Sequence, residues 1–354
     1  MTTVEEATYA LSKILDAGTQ KNVIELGWIK NVRVSIPRSI ITLALPSHAN
    51  SQRDRIVQEA REVILAFDDI EDLQIELDNS AAQATSTSEN NTPQLQRIKG
   101  IKQIIAVSSG KGGVGKSTIA VNLACSLAKL GLKTGLLDAD IYGPNTPSML
   151  GVAEENPKVH GSGNDQKLIP ISKYGISLVS MGFLIEEGQP VIWRGPMLNS
   201  IIRQFLYQVE WNNLDFLVID LPPGTGDAQI SLAQSVPISG AIIVTTPQQV
   251  SLQDSRRGLA MFKQLGVPLI GVVENMSVFI PPDQPDKNYA IFGSGGGKLL
   301  AEENSLPLLA QIPIEMPVVT ESNLGIPISI SEPNTNSSRK FEELALLISN
   351  KFQN

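Results

Sequence analysis

The stretch Gly110-Lys111-Gly112-Gly113-Val114-Gly115-Lys116-Ser117-Thr118 decides the fold of this chain. An apolar run, residues 104–107, precedes it, and a helical pattern, residues 120–130, follows it. A strand, a glycine-rich loop and a helix in that order are the context of a phosphate-binding P-loop. Glycines let the backbone wrap an anion without Cβ clashes, and main-chain N–H groups at the helix N-terminus supply partial positive charge. The stretch therefore predicts a site for the phosphates of a nucleotide.

Within this loop, two side chains have separate predicted roles. The Lys116 ammonium would reach the β- and γ-phosphates of ATP, and the Ser117 hydroxyl would hold Mg²⁺. ATP and Mg²⁺ are thus the predicted cofactors. The other loop residues expected to contact the nucleotide are Gly110, Lys111, Gly112, Gly113, Val114, Gly115 and Thr118.

A second lysine, Lys111, lies inside the loop, where ordinary P-loops need none. With it, the loop resembles the deviant P-loop of the ParA/MinD superfamily, which contains partition ATPases and the nitrogenase iron protein. In that superfamily the extra lysine crosses a dimer interface to the partner's nucleotide. The resemblance implies a homodimer in which Lys111 is a catalytic residue that makes hydrolysis depend on dimerisation. An exposed, solvated lysine is the alternative.

Composition narrows the class of protein. A chain of 354 residues, 42 % hydrophobic and 18 % charged, is typical of a globular protein with two domains. Its net charge of −8 argues against DNA or an anionic membrane as the main partner. No segment approaches the ~18 apolar residues of a membrane span, and the acidic N-terminus lacks a signal-peptide pattern. We therefore expect a cytoplasmic protein with neither nucleic acid nor membrane as its partner.

From residue 99 onward, apolar runs alternate with helical patterns, as expected for strands that are covered on both faces. The predicted strands are residues 104–107, 134–137, 176–180, 216–219, 241–245, 269–273 and 308–313. Helices between successive strands imply right-handed crossovers. Residues 99–354 thus predict an α/β domain with a mostly parallel, doubly wound P-loop sheet. Ligand chemistry then belongs at the carboxyl ends of the strands.

Acidic side chains follow two of these strands. Alternation along an extended segment points the carboxylates of Asp138 and Asp140 to one side. One would reach Mg²⁺ through water and the other would orient the attacking water. The superfamily resemblance gives that water to Asp140, with Asp138 as the second candidate. Asp220 ends an apolar strand in the Walker B form and would face the Mg²⁺ shell. An exposed acidic strand end is the alternative for the Asp138 and Asp140 pair.

Two further residues complete the predicted nucleotide site. Gly224, in the loop after Asp220, lets the backbone approach a γ-phosphate, and this loop would order or release with hydrolysis. A plain turn is the alternative there. The Asn275 amide offers a donor and an acceptor, which suits an adenine edge. By resemblance Asn275 reads the base, and a local turn cap is the alternative.

The first 78 residues predict a small α+β domain. Its predicted elements are a helix at 4–17, strands at 23–34 and 40–45, a helix at 52–67 and a strand at 73–77. Through Asn22-Val23-Ile24-Glu25-Leu26-Gly27 and the helix near Gln52, it resembles the MIP18-like domain often fused ahead of iron–sulfur assembly ATPases. That family usually has a cysteine where residues 47–50 stand here. His48 is a candidate ligand in this stretch, with a solvated loop residue as the alternative. Residues 79–98 contain few large apolar side chains and predict a flexible linker.

Four segments together narrow the family of the larger domain. They are Asp140-Ile141-Tyr142-Gly143-Pro144-Asn145, Trp193-Arg194-Gly195-Pro196-Met197, Asp220-Leu221-Pro222-Pro223-Gly224-Thr225-Gly226-Asp227 and Glu274-Asn275-Met276-Ser277. The combination resembles the Mrp/ApbC group of ATP-hydrolysing iron–sulfur cluster carriers over residues 99–330. The resemblance implies a Mg²⁺-dependent, dimer-activated ATP hydrolase that binds clusters and transfers them to apo iron–sulfur client proteins.

The chain departs from that group at the cluster site. Mrp-type carriers place Cys-x-x-Cys shortly after the Asn-Met-Ser segment, so that two chains give four thiolates to one cluster. Here Pro281 and Gln284 stand about where the thiols would be, and neither suits iron sulfide. The single cysteine, Cys125, has the pattern of a buried core residue. The iron–sulfur ligands therefore stay unassigned. Partner thiols, glutathione or atypical ligands would hold a cluster, or the protein is a nucleotide-gated adaptor without metal cargo.

A ParA/MinD-like partition or positioning ATPase is the alternative function, and it would use DNA or a membrane as its track. The acidic charge balance counts against this alternative. So does the terminal pattern at residues 340–352, which is amphipathic but not basic. We expect this helix to dock on the ATPase domain.

Overall fold

The structure of the chain is a computed structural model. It describes residues 2–16, 21–26, 28–34, 38–43, 53–70, 72–77, 98–141, 143–161, 166–184, 201–202 and 204–353. The chain divides into two units, Met1–Pro93 and Gln94–Asn354. Three predicted features lie outside the described residues: the candidate ligand His48, the linker except for its last residue, and the segment 193–197.

The N-terminal unit places two helices against a three-stranded sheet. Its elements are α1 (Val4–Leu11), β1 (Ile29–Arg33), β2 (Arg38–Leu43), α2 (Arg53–Leu65) and β3 (Asp72–Leu77). Strand β2 lies in the centre, antiparallel to β1 and parallel to β3. Apolar residues from both helices and from the sheet bury one core; among them are Leu11, Ile41, Leu43, Ile56 and Ile64. This small α+β unit is the one that the sequence predicts.

The predicted first strand begins too early, because residues 23–26 form a turn. The Asn22 side-chain oxygen accepts hydrogen bonds from the backbone N–H groups of Ile24 and Glu25, at 3.1 and 2.8 Å. An asparagine that satisfies nearby backbone donors competes with a strand for the same groups. The first helix likewise ends at Leu11, before the predicted end at residue 17.

The larger unit is built on an eight-stranded sheet. Its strands are β4 (Ile101–Ser109), β5 (Thr134–Asp138), β8 (Ile171–Lys173), β9 (Ile176–Ser180), β10 (Leu214–Asp220), β11 (Gly240–Thr245), β12 (Leu269–Phe279) and β13 (Leu308–Ile314). Their order is β13-β12-β11-β4-β10-β5-β9-β8, and every neighbouring pair is parallel except β8 with β9. Two short strands, β6 (Val159–His160) and β7 (Lys167–Leu168), pair separately. The predicted mostly parallel sheet is confirmed.

Helices cover both faces of this sheet. They are α3 (Lys116–Lys129), α4 (Thr146–Met149), α5 (Asp227–Ser235), α6 (Gln249–Gln264), α7 (Gly296–Glu303), α8 (Met316–Asn323), α9 (Ile328–Ser331) and α10 (Asn336–Gln353). Alternation along β4 sends Ile104 and Ala106 into the core under α5, α6 and α7. Ile105 and Val107 enter the opposite core, under α3 and α10. A strand buried on both faces explains the continuous apolar run before the glycine loop.

The terminal helix α10 docks on the domain, as predicted. Phe341, Leu344 and Ile348 are fully buried in the core shared with α3. The ring of Phe352 meets Phe216 edge-on, with 6.2 Å between the ring centroids. Among the helices of the described residues, none is long and apolar enough to span a membrane.

Candidate nucleotide-binding site

Parallel pairing brings the predicted acids to one edge of the sheet. In the register of β10, Asp220 pairs with Val107 of β4 on one side and with Asp138 of β5 on the other. Because β4 continues directly into the glycine loop, these carboxylates lie beside the loop. The strand order thus brings Asp220 beside a loop that ends 102 positions earlier in the sequence.

The glycine loop needs glycine at particular positions. Gly113 and Gly115 both have φ of 79°, a left-handed conformation that other residues rarely adopt. A Cβ on Gly110 would clash with the α6 backbone at Asp254 and Ser255. The loop therefore lies too close to α6 for any side chain at that position. A cavity of about 470 Å³ adjoins the loop, and the loop residues that line it are Lys111, Gly112, Gly113, Gly115, Lys116, Ser117 and Thr118.

Lys116 lies between two buried carboxylates. Its Nζ is 2.5 Å from Asp220 Oδ1 and 3.5 Å from Asp140 Oδ2, and the lysine is 5 % exposed. The Ser117 hydroxyl lies 3.4 Å from the same Nζ. Burial raises the pKa of Asp220, while the Lys116 ammonium acts in the opposite direction. The lysine thus neutralises acids that would otherwise be buried without a cation.

In each of the two acids beside Lys116, one carboxylate oxygen makes no hydrogen bond to the described residues. Asp140 Oδ1 and Asp220 Oδ2 are buried and have no hydrogen-bond partner within the described part of the chain. Buried polar atoms without a protein partner are rare, and they commonly bind an ion or a water molecule. Carboxylate oxygens beside a hydroxyl are the ligand type that Mg²⁺ prefers. Ser117 and Asp220 therefore fit a bound Mg²⁺.

Asp138 has a different environment, because hydrogen bonds occupy its oxygens. Oδ1 accepts from the Asp140 backbone N–H at 3.1 Å. Oδ2 accepts from the hydroxyls of Thr146 and Ser180, both at 2.9 Å. Burial, with the Asp220 charge as the second cause, raises the Asp138 pKa to about 7. Asp138 thus holds the segment after β5 in place, whereas Asp140 lines the cavity and has the oxygen that can orient a water.

The other two predicted residues lie on opposite sides of the loop. Gly224, with φ of 94°, donates its backbone N–H to the Ser109 carbonyl at 3.0 Å. Asn275 is buried, and its side-chain nitrogen donates to the Val114 carbonyl at 2.9 Å. It therefore supports the glycine loop from the side of β12. Its role as a base reader stays a prediction.

Sequence reasoning missed part of the cavity wall. Asn145 and Ser148, at and in α4, and Ser322 and Asn323, at the end of α8, line the cavity with the loop. Asn145 ends the segment 140–145, where no role was predicted for it, and a motif reaching beyond residue 145 would have found Ser148. The α8 residues lie some 200 positions from the loop and carry no motif of their own.

Comparison with known proteins decides the family. The sequence profile described as "NUBPL iron-transfer P-loop NTPase" matches residues 100–349. The chain belongs to the NUBPL iron-transfer P-loop NTPase family. A second profile, described as "Iron-sulfur cluster assembly protein", matches residues 5–77.

Relatives of this P-loop NTPase share most of its length. The iron–sulfur cluster carrier protein of Synechocystis sp. is 47 % identical over 351 residues, which covers 99 % of this chain and 98 % of the relative. The iron–sulfur cluster carrier protein of Escherichia coli K12 is 44 % identical over 262 residues, or 72 % of this chain and 70 % of the relative. These similarities favour the carrier hypothesis over the partition-ATPase alternative.

Solved structures confirm the fold of this NUBPL-type NTPase. A nucleotide-binding protein in complex with ADP from Archaeoglobus fulgidus aligns with a TM-score of 0.57 and 37 % identity, over 65 % of this chain and 88 % of that one. The cell division ATPase MinD of Pyrococcus furiosus aligns with a TM-score of 0.51 over 70 % of this chain and 99 % of that one. At 22 % identity, this second likeness shows the shared fold.

The loop after β12, where the resemblance predicts the cluster ligands, has no thiols. Pro281 and Gln284 lie in the loop after β12, where the Gln284 backbone N–H donates to the Pro281 carbonyl at 3.2 Å. Within the described ranges, no group of three or more His, Cys, Asp or Glu is placed to hold a metal ion. Cys125 is fully buried in α3, so it does not supply a surface ligand.

The Cys125 thiol is expected to resist modification in the folded protein. Burial raises its pKa to about 12, so the reactive thiolate is only about 10⁻⁴ of the total at pH 8. Labelling with a thiol reagent should be negligible at pH 8 and should quicken as the pH rises. The same protein in urea should react with one equivalent, which serves as the control. Fast, stoichiometric labelling of the native protein would place this thiol at the surface instead.

Proposed function

We propose that this chain is a Mg²⁺-dependent ATP hydrolase, active as a homodimer, that carries iron–sulfur clusters to apoproteins. The observation that carries the ATPase part is the placement of Lys116 against two buried acids, each with an unpartnered oxygen, at a P-loop. The family and the relatives named as iron–sulfur cluster carriers support the proposal that a cluster is the cargo.

In the proposed mechanism, ATP phosphates take over the partner role that the acids have toward Lys116. Backbone N–H groups of the glycine loop cradle the phosphates, and the ammonium turns from Asp220 and Asp140 toward the β- and γ-phosphates. A bound Mg²⁺, held by Ser117 and Asp220, would offset the phosphate charge. Asp140 then orients the attacking water through its free oxygen.

Lys111 has the properties of a residue that acts on another chain. It lines the cavity mouth and is partly exposed. Within the part of the chain that is described, no carboxylate lies within 4.0 Å of its ammonium. The Ser109 hydroxyl fixes its backbone by donating to the Lys111 carbonyl at 2.9 Å. A fixed backbone with an unpaired charge suits a lysine that reaches a nucleotide across a two-fold interface.

An iron–sulfur cluster carried by this protein needs ligands other than residues 281 and 284, where the family usually has cysteines. Because Cys125 is buried and Pro281 and Gln284 replace the family's thiols, we propose that glutathione or client thiols complete the cluster's ligand set. The same lack of thiols favours a second candidate function: a nucleotide-gated adaptor that assembles partners without carrying metal.

Anaerobic reconstitution with iron and sulfide separates these two functions. For the carrier, we expect a visible iron–sulfur chromophore of about one cluster per dimer when glutathione is present, and transfer of that cluster to an apo-ferredoxin. Without glutathione, the chromophore should be weak. The measurements are absorption spectra and iron content after gel filtration.

A double variant, Pro281→Cys with Gln284→Cys, provides the matched positive control. It restores two thiols per chain, so its dimer should bind a cluster without glutathione. If this variant binds a cluster while the unaltered chain binds none under either condition, the carrier proposal is wrong and the adaptor is favoured.

A further inference from the structure

Gln229 is a buried polar residue outside the predicted nucleotide site. It lies in the first turn of α5, just after the Gly224 loop, and is 1 % exposed. Its side-chain nitrogen donates a hydrogen bond to the Ser108 hydroxyl. Its side-chain oxygen is buried and has no hydrogen-bond partner among the residues that the structure describes. One half of this amide is therefore tied to β4, and the other half is unsatisfied.

The partner of Gln229 connects it to the glycine loop. Ser108 is the penultimate residue of β4, and the next residue, Ser109, contacts both the glycine loop and the loop at residues 221–226. The Ser109 hydroxyl donates to the Lys111 carbonyl, while the Ser109 carbonyl accepts from the Gly224 N–H. The loop at residues 221–226 is thus held to the end of β4 by two backbone hydrogen bonds, from Leu221 to Val107 and from Gly224 to Ser109, and Gln229 adds a side-chain link just beyond the loop.

We propose that Gln229 is a positioning residue for ATP hydrolysis. It keeps α5, and with it the γ-phosphate-sensing loop at residues 221–226, in register with the strand that carries the P-loop. The inference rests on the proposed ATPase function and adds a residue to it. Gln229 acts through Ser108 and the loop, not through contact with the nucleotide.

The buried side-chain oxygen of Gln229 can accept one more hydrogen bond. A buried acceptor without a donor is unfavourable, so a loop rearrangement that brings a donor to it is favoured. If Gln229 served only to fill space, a leucine of similar size would replace it without loss of activity.

The test compares Gln229→Leu with Gln234→Leu in the full-length protein. Gln234 lies on the same helix but is exposed, so its variant controls for the loss of an amide from α5. We expect Gln229→Leu to lower kcat for ATP about tenfold, while the Kd for ATP stays within about twofold, because one positioning hydrogen bond is lost. Ser108→Ala should act in the same direction. The double variant should be no worse than Gln229→Leu, since both changes break one link.

Hydrogen exchange provides a readout that does not need turnover. In the unaltered protein, we expect ATP to slow amide exchange both in the P-loop and at residues 221–226. In Gln229→Leu, we expect protection of the P-loop to remain and protection of residues 221–226 to be lost. Unchanged kcat and unchanged loop protection in this variant would overturn the proposal, as would parallel losses of ATP binding and kcat. If the unaltered protein binds ATP but does not hydrolyse it, the proposed function fails and loop protection alone decides the role of Gln229.

Discussion

ATP binding is expected to weaken at least a hundredfold, to about 1 % of its normal affinity, when Lys116 is replaced by alanine. Its ammonium is the cation placed to meet the β- and γ-phosphates, and it is already desolvated at 5 % exposure. In a buried site, a preformed charge interacts more strongly with phosphate than one in water does. Isothermal titration calorimetry with ATP and Mg²⁺ measures the loss.

The same substitution removes the cation between two acids. Asp220 and Asp140 would then be buried near each other without Lys116, so the variant should also lose about 3 kcal/mol of unfolding free energy. Binding is therefore compared well below the melting temperature, after circular dichroism has shown a folded protein. Lys102→Ala is the control, because the Lys102 side chain is 74 % exposed and pairs with Asp215 at the surface. Normal ATP affinity in folded Lys116→Ala would contradict the site.

The loop chemistry was predictable because it is local. Nine consecutive residues specify the turn and contain the lysine and the hydroxyl that we propose for phosphate and Mg²⁺, and the left-handed conformations at Gly113 and Gly115 match the glycines there. The position of Asp220 at the site was also predictable, since an apolar strand that ends in an acid has the Walker B form. Only the fold reveals that Lys116 pairs with this acid, at 2.5 Å.

The different environments of Asp138 and Asp140 were not predictable from the sequence. Alternation predicts that both point to one side, but it does not give their hydrogen-bond partners. Thr146 and Ser180, which occupy Asp138, come from a helix and a strand that lie farther along the chain. Polar pairings between different elements decide which acid keeps a free oxygen. The same limit hides the Gln229–Ser108 pair, whose members are 121 positions apart.

The turn at residues 23–26 shows a different limit. Val23, Ile24 and Leu26 have the composition of a strand, and a pattern of apolar residues alone favours that structure. The side-chain oxygen of Asn22, just before them, accepts hydrogen bonds from two backbone N–H groups. These groups are then not available to a strand. Apolar pattern and side-chain capping conflict here, and the capping interaction prevails.

Hydrolysis is expected to fall about a hundredfold in Lys111→Ala, while ATP affinity changes by less than about threefold. In the proposed dimer, the Lys111 ammonium stabilises charge that develops on the partner's nucleotide, much as a finger residue supplied in trans does. It contributes little to binding by its own chain, where Lys116 already neutralises the phosphates. Steady-state hydrolysis and calorimetry on the same preparation measure the two quantities.

Mixing two inactive variants distinguishes action across the interface from action within one chain. Lys111→Ala keeps Asp140, and Asp140→Asn keeps Lys111. If the lysine crosses, each mixed dimer has one complete site, and random exchange restores about a quarter of normal activity, because half of the dimers are mixed and half of their sites are complete. If Lys111 serves its own nucleotide, every site in the mixture lacks one group and activity stays at the level of the separate variants. The mixture thus tests the trans role itself, because both variants are inactive alone under either arrangement.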